Sequence, residues 1–232
     1  MKFTLVFLSL VLSCSASAGE YPSPDRWKYT IGGFALEDEI IGERPSAIVV
    51  TGSSSIRFWD HRIHQDLAPL TVISRGFGGS NMNDVLTHLD TLVLKHKPRA
   101  VMIYEGDNDV AQGVPVDTII ETFKATLQKI HASDSSIRIY LLSVKPSISR
   151  KEMWRTMLEV NAGLQELAGA DQRITYIDVA TPMFNDDGSM KKSLFVADQL
   201  HMTQQGYDVW RNAVAPVLTA KEIAYEPTPP AR

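Results

Sequence analysis

Cysteine is nearly absent from this chain: the 232 residues contain one, Cys14. A chain with one cysteine cannot form an internal disulfide or a site of clustered thiolates. Long apolar runs are also missing, because the most apolar stretch, residues 3–12, is well short of the roughly 20 residues that a membrane-spanning helix needs. There is no basic cluster and the formal net charge is −4. This charge balance argues against nucleic-acid partners and against anionic membrane surfaces.

The N-terminus has the layout of a secretory signal peptide. Lys2 supplies a positive charge, residues 3–12 form a short apolar region, and Ala16-Ser17-Ala18 has the small-x-small form of a cleavage site. We therefore expect a signal peptide over residues 1–18, cleavage near Ala18, and a secreted or periplasmic protein. A lipid anchor at Cys14 is a minor alternative. Cleavage after Ala18 leaves no cysteine, which excludes thiolate catalysis.

The rest of the chain is long enough for one domain with a substantial core. We divide it into an N-terminal surface segment (19–45), one domain (46–222) and a flexible tail (223–232). Continuous apolar strands alternate with helices in the domain. The strands are predicted over 47–51, 70–74, 100–104, 137–144 and 174–179, and the helices over 83–95, 115–131, 151–168 and 203–219. This alternation predicts an α/β fold, a three-layer α/β/α sandwich with a five-stranded parallel sheet. We expect the flavodoxin-like strand order 2-1-3-4-5.

Polar residues and glycines cluster where the predicted strands end. Gly52-Ser53-Ser54-Ser55 follows the first strand, Gly78-Gly79 lies in the turn after the second, and Asn108 follows the third. Asp198 and His201 come just before the last helix. Open α/β sheets bind ligands at the carboxyl edge, where these residues should meet. The serine turn alone fits either a nucleophile for acyl transfer or a phosphate-binding turn without chemistry.

The Asp198/His201 pair favours acyl transfer over phosphate binding. The imidazole of His201 can take the proton of a serine hydroxyl, and Asp198 can accept the other ring N–H and so set the tautomer. The tetrahedral intermediate carries an oxyanion. Suitable donors are the backbone N–H groups of Ser54 and of a glycine in the second turn, with the side-chain amide of Asn108. We expect neither a cofactor nor a metal.

These four blocks resemble the SGNH hydrolases, also called the GDSL esterase/lipase family. The matching residues are Ser54 in Gly52-Ser53-Ser54-Ser55, Gly79 in Gly78-Gly79-Ser80, Asn108 in Gly106-Asp107-Asn108-Asp109, and His201 in Asp198-Gln199-Leu200-His201. The resemblance covers residues 46–218, and the chain is similar to the branch with platelet-activating-factor acetylhydrolase and lysophospholipase/thioesterase-like enzymes. It implies Ser54, Asp198 and His201 as catalytic residues, and an oxyanion hole formed by Ser54, Gly79 and Asn108.

The first block departs from the family pattern, because Ser53 stands where the family usually has aspartate. Ser53 and Ser55 therefore stay open as alternatives to Ser54, and Gly78 stays open as an alternative to Gly79.

The resemblance implies an exported serine esterase that hydrolyses short acyl or acetyl esters of small molecules or glycans. It implies no nucleic-acid partner and no stable membrane insertion, and it indicates no oligomeric state. The alternative is a non-catalytic module of the same fold that binds glycans or phosphate-bearing ligands.

Overall fold

The computed structural model describes residues 19–42 and 44–226. The predicted signal peptide, with its cleavage site and Cys14, lies outside the described residues. Among the helices that are described, none has both the length and the apolar character needed to cross a bilayer.

A five-stranded parallel sheet forms the centre of the domain. Its strands are β1 (Ile48–Gly52), β2 (Val72–Gly76), β3 (Ala100–Tyr104), β4 (Arg138–Leu142) and β5 (Ile174–Ile177). The order β2-β1-β3-β4-β5 confirms the predicted topology. Gly52 pairs in register with Gly76 on one side and with Tyr104 on the other, so β1, β2 and β3 end level with one another. The loops that follow these strands therefore meet at one edge.

Helices cover both faces of the sheet. They are α1 (Lys28–Ile41), α2 (Ser54–Asp66), α3 (Met82–Thr87), α4 (Leu89–Leu92), α5 (Asp107–Ala111), α6 (Val116–Ser133), α7 (Trp154–Ala170) and α8 (Gln204–Glu222). One apolar core packs residues of α3, α6 and α7 against one face, and a second core packs α2 and α8 against the other. The alternate sides of β1 illustrate this, since Val49 belongs to the first core while Ile48 and Val50 belong to the second. The three-layer prediction is confirmed.

The helix predicted over 83–95 is broken in the structure. Asn81 and Asp84 form a reciprocal capping box that starts α3, and His88 leaves helical geometry between α3 and α4. A 3₁₀ turn, Leu94–His96, follows and ends at Lys97, which is left-handed with φ +47°. Lys97 precedes a proline, which disfavours the α conformation, so the helix cannot continue.

Both ends of the domain carry more structure than the sequence indicated. The segment 19–45 contains a 3₁₀ turn, Pro24–Trp27, and the 14-residue helix α1. At the other end, Ile223–Tyr225 forms a 3₁₀ turn, and Glu226 pairs with Arg99. Residues 223–226 are therefore anchored, although the sequence analysis started a flexible tail there; residues 227–232 lie outside the described part.

Candidate active site

The turn between β1 and α2 can be made only with glycine at position 52. Gly52 has φ +136°, and a Cβ there would lie 1.9 Å from the carbonyl oxygen of Tyr104. Residues with a side chain rarely adopt this backbone conformation. Glycine therefore lets the turn pass close to β3, and α2 begins two residues later. Ser54 becomes the first residue of α2 at the carboxyl edge of the sheet.

The structure separates the three serines of the turn. Ser53 is fully buried and caps α2, with its Oγ accepting a hydrogen bond from Ser55 N at 3.4 Å. Ser55 is also buried, and its carbonyl accepts a hydrogen bond from Tyr207 Oη at 2.9 Å. Ser54 is the serine whose hydroxyl meets the histidine: its Oγ lies 2.8 Å from His201 Nε2.

Asp198 completes a hydrogen-bonded chain with these two side chains. Its Oδ2 lies 2.6 Å from His201 Nδ1, while Oδ1 accepts hydrogen bonds from the backbone N–H groups of Leu200 and His201, both at 2.9 Å. The ring of Phe58 packs edge-on against the imidazole with centroids 4.8 Å apart. The structure therefore brings together Ser54, His201 and Asp198 with the spacing that proton transfer requires.

The carboxyl of Asp198 is held in its charged form. Partial burial raises its pKa, but the hydrogen bonds from His201 and from the backbone of Leu200 outweigh this and lower the pKa to about 2. A permanent carboxylate next to Nδ1 favours the tautomer that carries its proton there, which leaves Nε2 free to accept a proton from Ser54.

Asn108 lies beside the second glycine turn, as the sequence analysis expected. It is part of the short helix α5, and its Nδ2 donates a hydrogen bond to the carbonyl of Ser80 at 2.8 Å. An amide nitrogen carries two N–H groups, so the second remains for another acceptor. Asn108 is 8 % exposed, so that acceptor would sit in a site from which most water is excluded.

Two backbone N–H groups are also available. Ser54 N is in the first turn of α2, where helix N–H groups have no acceptor within the helix. Neither Ser54 N nor Gly79 N donates to a protein acceptor in the described part of the chain. Gly79 has φ +79°, a backbone conformation that favours glycine. Gly78 leaves room for the side chain of Arg57, because a Cβ at position 78 would lie 3.2 Å from that guanidinium. Gly79 as the second-turn donor stays a prediction.

Two buried carboxyls, those of Glu105 and Asp109, accept hydrogen bonds from the loops around Asn108. Burial raises the pKa of Glu105 well above its usual range, and its Oε1 accepts a hydrogen bond from Ser80 Oγ at 2.5 Å. Burial also raises the pKa of Asp109 to about 6. Asp109 accepts hydrogen bonds from Gly106 N and Met82 N at 3.0 and 2.9 Å. These bonds join the loop after β3 to the start of α3, and so fix the position of Asn108.

The loop after β4 contributes residues that the sequence analysis missed. Arg150 Nη2 donates a hydrogen bond to Asn108 Oδ1 at 2.9 Å, and Lys145 Nζ donates to the carbonyl of Leu200, also at 2.9 Å. Burial lowers the pKa of Lys145 to about 8, although Asp107, 3.9 Å away, opposes this. A signal existed, because the strand-end rule that identified the other loops applies equally to the fourth strand.

The N-terminal segment also reaches the site. Tyr21 Oη donates a hydrogen bond to Asp109 Oδ1 at 3.0 Å. The ring of Trp27 lies next to Gly79, 3.8 Å from where a Cβ would stand, and its Nε1 donates to Asp84 Oδ2 at 3.0 Å. No local sequence signal connects these aromatic residues with loops that lie more than fifty positions away.

A cavity of about 280 Å³ flanks the loop that carries the histidine. It is lined by Ile148, Lys192, Phe195, Val196, Ala197 and Gln199. A different cavity is lined in part by Asp38, Arg44 and His96. These residues come before β1 and β3 in the chain, so this cavity lies at the amino edge of the sheet, away from Ser54. The first cavity adjoins the loop of Asp198 and His201 through Ala197 and Gln199.

Comparison with protein families gives one match that covers most of the chain. The model of the GDSL-like lipase/acylhydrolase family matches residues 42–209. A curated protein, N-acylneuraminate cytidylyltransferase of Escherichia coli, is 25 % identical over 176 residues. The match covers 75 % of this chain, which spans only 40 % of that relative's length.

Solved structures share the fold at low identity. A GDSL-like lipase from Bacteroides thetaiotaomicron has a TM-score of 0.72 at 20 % identity, with 82 % of this chain and 98 % of that chain covered. A protein from Streptococcus pneumonia, provisionally described as a platelet activating factor, gives 0.74 at 21 %, covering 84 % and 93 %. A catalytic mutant of an acetylxylan esterase from Geobacillus stearothermophilus gives 0.61 at 15 %, covering 74 % and 93 %.

Proposed function

This chain belongs to the GDSL-like lipase/acylhydrolase family, and from that premise we propose that it is a serine esterase for short acyl esters, acetyl esters above all. The observation that carries the proposal is the chain of hydrogen-bond distances from Ser54 Oγ to His201 Nε2, 2.8 Å, and from His201 Nδ1 to Asp198 Oδ2, 2.6 Å.

In the first half of the reaction, Ser54 Oγ attacks the ester carbonyl carbon while His201 Nε2 takes the hydroxyl proton. Asp198 stabilises the imidazolium that forms. The carbonyl oxygen becomes an oxyanion, which Ser54 N, Gly79 N and the amide of Asn108 stabilise. The carbon–oxygen bond to the alcohol then breaks, and His201 returns its proton to the departing alkoxide.

In the second half, water hydrolyses the acyl-enzyme. His201 takes a proton from the water, whose oxygen attacks the acyl carbon. The bond to Ser54 Oγ breaks, Oγ recovers the proton from His201, and the carboxylic acid leaves. The same oxyanion donors serve both halves, because the acyl carbon does not move.

The proposed acyl group is short because an esterase named for an acetyl ester is among the structures that share the fold. The alcohol part is proposed to be a small molecule or a glycan. The acetylxylan esterase among the similar structures acts on an acetylated polysaccharide, as its name says, and the curated relative's name contains an acylated sugar acid.

A fluorophosphonate probe and a series of p-nitrophenyl esters from acetate to octanoate test the proposal. We expect labelling of Ser54 and kcat/KM values that fall as the acyl chain lengthens. Ser54→Ala should abolish labelling and lower kcat by at least about 10⁴-fold, whereas Ser55→Ala, one residue away, serves as the matched control. Labelling that survives in Ser54→Ala would show that Ser54 is not the nucleophile. A folded wild-type protein with neither labelling nor turnover would indicate a binding module.

Natural substrates are compared in the same assay. Acetylated xylan, an O-acetylated N-acylneuraminate and lysophosphatidylcholine are incubated with the enzyme, and the released acid is measured. We expect acetate release from at least one glycan and little fatty acid from the lysophospholipid. More fatty acid from the lysophospholipid than acetate from the glycans would indicate a lipolytic function instead.

We also propose that the enzyme is exported, with a signal peptide over residues 1–18 that is cleaved after Ala18. N-terminal sequencing of the protein recovered from the periplasm or medium should give Gly19 as the first residue. A lipid-modified Cys14 at the N-terminus would support the anchored alternative.

A further inference from the structure

Asn108 can serve the oxyanion only in one of its two amide orientations. The nitrogen end donates hydrogen bonds and would stabilise developing negative charge, whereas the oxygen end would repel it. A terminal amide rotates readily, and exchanging the two ends costs little unless its neighbours discriminate between them. The proposed chemistry therefore requires something that holds the nitrogen toward the reacting carbonyl.

Arg150 provides that discrimination from the loop after β4. Its Nη2 donates a hydrogen bond to Asn108 Oδ1 at 2.9 Å. Its Nη1 donates to the carbonyl of Asp107 at 2.9 Å and lies 3.4 Å from Asp107 Oδ2. The guanidinium thus donates to the backbone of α5 from one nitrogen and to the side chain of Asn108 from the other.

The chemistry of the partners determines the amide orientation from both sides. A guanidinium can only donate, so the atom that faces Arg150 must be the amide oxygen. The carbonyl of Ser80 can only accept, so the atom that faces it, at 2.8 Å, must be the nitrogen. A flipped amide would place N–H against N–H and oxygen against oxygen, leaving two buried polar contacts unmade.

We propose that Arg150 is a positioning residue that fixes the orientation of the Asn108 amide and polarises it as an oxyanion donor. The positive charge beside Oδ1 draws electron density from the amide and so strengthens the hydrogen bonds that Nδ2 donates. This role rests on the proposed esterase function.

A lysine could not take over the role of Arg150. Lysine carries its charge on one nitrogen at the end of a flexible stem, whereas the fork of arginine holds two acceptors at a fixed separation. The acceptors here are Asp107 O and Asn108 Oδ1, so Arg150→Lys should keep the charge but lose the simultaneous grip.

A double-mutant cycle tests whether Arg150 acts through Asn108. Arg150→Gln should lower kcat for p-nitrophenyl acetate by about 10- to 100-fold, less than the loss of the donor itself, with KM changed by less than about twofold. In an Asn108→Ala background the same change should cost less than about threefold, because the group that Arg150 orients is already gone. Arg155→Gln is the matched control, since Arg155 is exposed on α7 and, among the described residues, forms an ion pair with Glu159 alone.

Three results would overturn the proposal. Equal losses in both backgrounds would show that Arg150 does not act through Asn108, and an effect confined to KM would make it a substrate contact. Arg150→Lys with full kcat would show that charge alone suffices. If Arg150→Gln does not fold, as a thermal melt would reveal, Arg150→Lys takes its place in the cycle and should be partly active.

An NMR measurement separates this proposal from the esterase function. In the ¹⁵N spectrum of the free protein, the two side-chain N–H signals of Asn108 are assigned by their loss in Asn108→Ala. Arg150→Gln should shift and broaden both signals, while Arg155→Gln should leave them unchanged. Unchanged Asn108 signals in Arg150→Gln would refute the positioning role, whereas the absence of turnover in the wild type would refute only the proposed function.

Discussion

Replacing Asp198 with asparagine should damage the enzyme more than removing the side chain altogether. Two backbone N–H groups, of Leu200 and His201, donate to Asp198 Oδ1 at 2.9 Å. In Asp198→Asn these donors must still find an oxygen, so they retain Oδ1 and turn the new NH₂ group toward His201 Nδ1. An NH₂ group can only donate, and it therefore favours the tautomer with the proton on Nε2, where it blocks attack by Ser54.

The magnitude follows from two contributions. Restoring the productive tautomer in Asp198→Asn sets N–H against N–H, which loses one hydrogen bond and forces two donors to face each other, at a cost of about 2–4 kcal/mol. Losing the charged partner of the imidazolium costs about 2 kcal/mol more. At 1.4 kcal/mol per tenfold change in rate, kcat should fall by about 10³- to 10⁴-fold. Asp198→Ala incurs mainly the second cost, because water can accept from Nδ1 at this half-exposed position.

Steady-state kinetics on p-nitrophenyl acetate measures this order. Asp198→Asn should be less active than Asp198→Ala by about 30-fold or more, with similar KM values. Asp187→Asn, which changes an exposed aspartate on another loop, is the control and should keep wild-type activity. If Asp198→Asn is more active than Asp198→Ala, or keeps more than a tenth of the wild-type kcat, the orientation argument is wrong.

Three further changes test the surrounding structure. Glu222 is fully buried and accepts hydrogen bonds from Arg138 and Tyr140, so Glu222→Gln should destabilise the fold by about 3 kcal/mol in urea unfolding while kcat at low temperature stays normal. Burial lowers the pKa of Lys145 to about 8, so the folded state binds fewer protons than the unfolded state. The contribution of neutral Lys145 to the free energy of unfolding should be present above the unfolded-state pKa and lost as the pH falls through 8. The stability of the wild type relative to Lys145→Met should therefore rise, by up to about 3 kcal/mol, between pH 8 and 10.5, and a flat difference would contradict this. Gly79→Ala should cost about 1 kcal/mol of stability in urea unfolding because of its φ of +79°, although its Cβ would make only an ordinary contact with Trp27.

The elements that sequence predicted well are those whose signal is local. β3 was predicted at 100–104 and is found there, because a short apolar run bounded by polar residues is typical of a strand that is buried on both faces. The last helix was predicted to begin at residue 203, and Thr203 caps it, since its side chain accepts a hydrogen bond from Gly206 N. In both cases the pattern and the structure involve neighbouring residues.

Helix α1 shows where a local signal fails. Of its fourteen residues only Ile31 is buried, and large apolar side chains such as Tyr29 and Ile40 face outward. Periodicity reveals a helix when one face is buried and the other is polar. A surface helix with apolar residues on its outer face lacks that contrast, so the segment was described only as a surface segment.

The site divides in the same way. Its chemistry was readable from the sequence, because parallel strands bring their ends to one edge and the residue types that follow them are those of acyl transfer. Arg150 was missed although the strand-end rule points to its loop after β4, because no local pattern indicates that it contacts Asn108, 42 positions away.

By itself the sequence determined the sheet, its strand order, the two apolar cores and the edge at which the polar residues meet, because hydrophobic periodicity and chain connectivity leave few alternatives. Only the tertiary structure decided which of three adjacent serines faces His201. Ser53, Ser54 and Ser55 are chemically identical, and they are distinguished by the start of α2, which buries the first and third and leaves the hydroxyl of the second 2.8 Å from a nitrogen 147 residues away. A contact over that distance in the chain depends on how every element between its ends packs, and no local pattern records it.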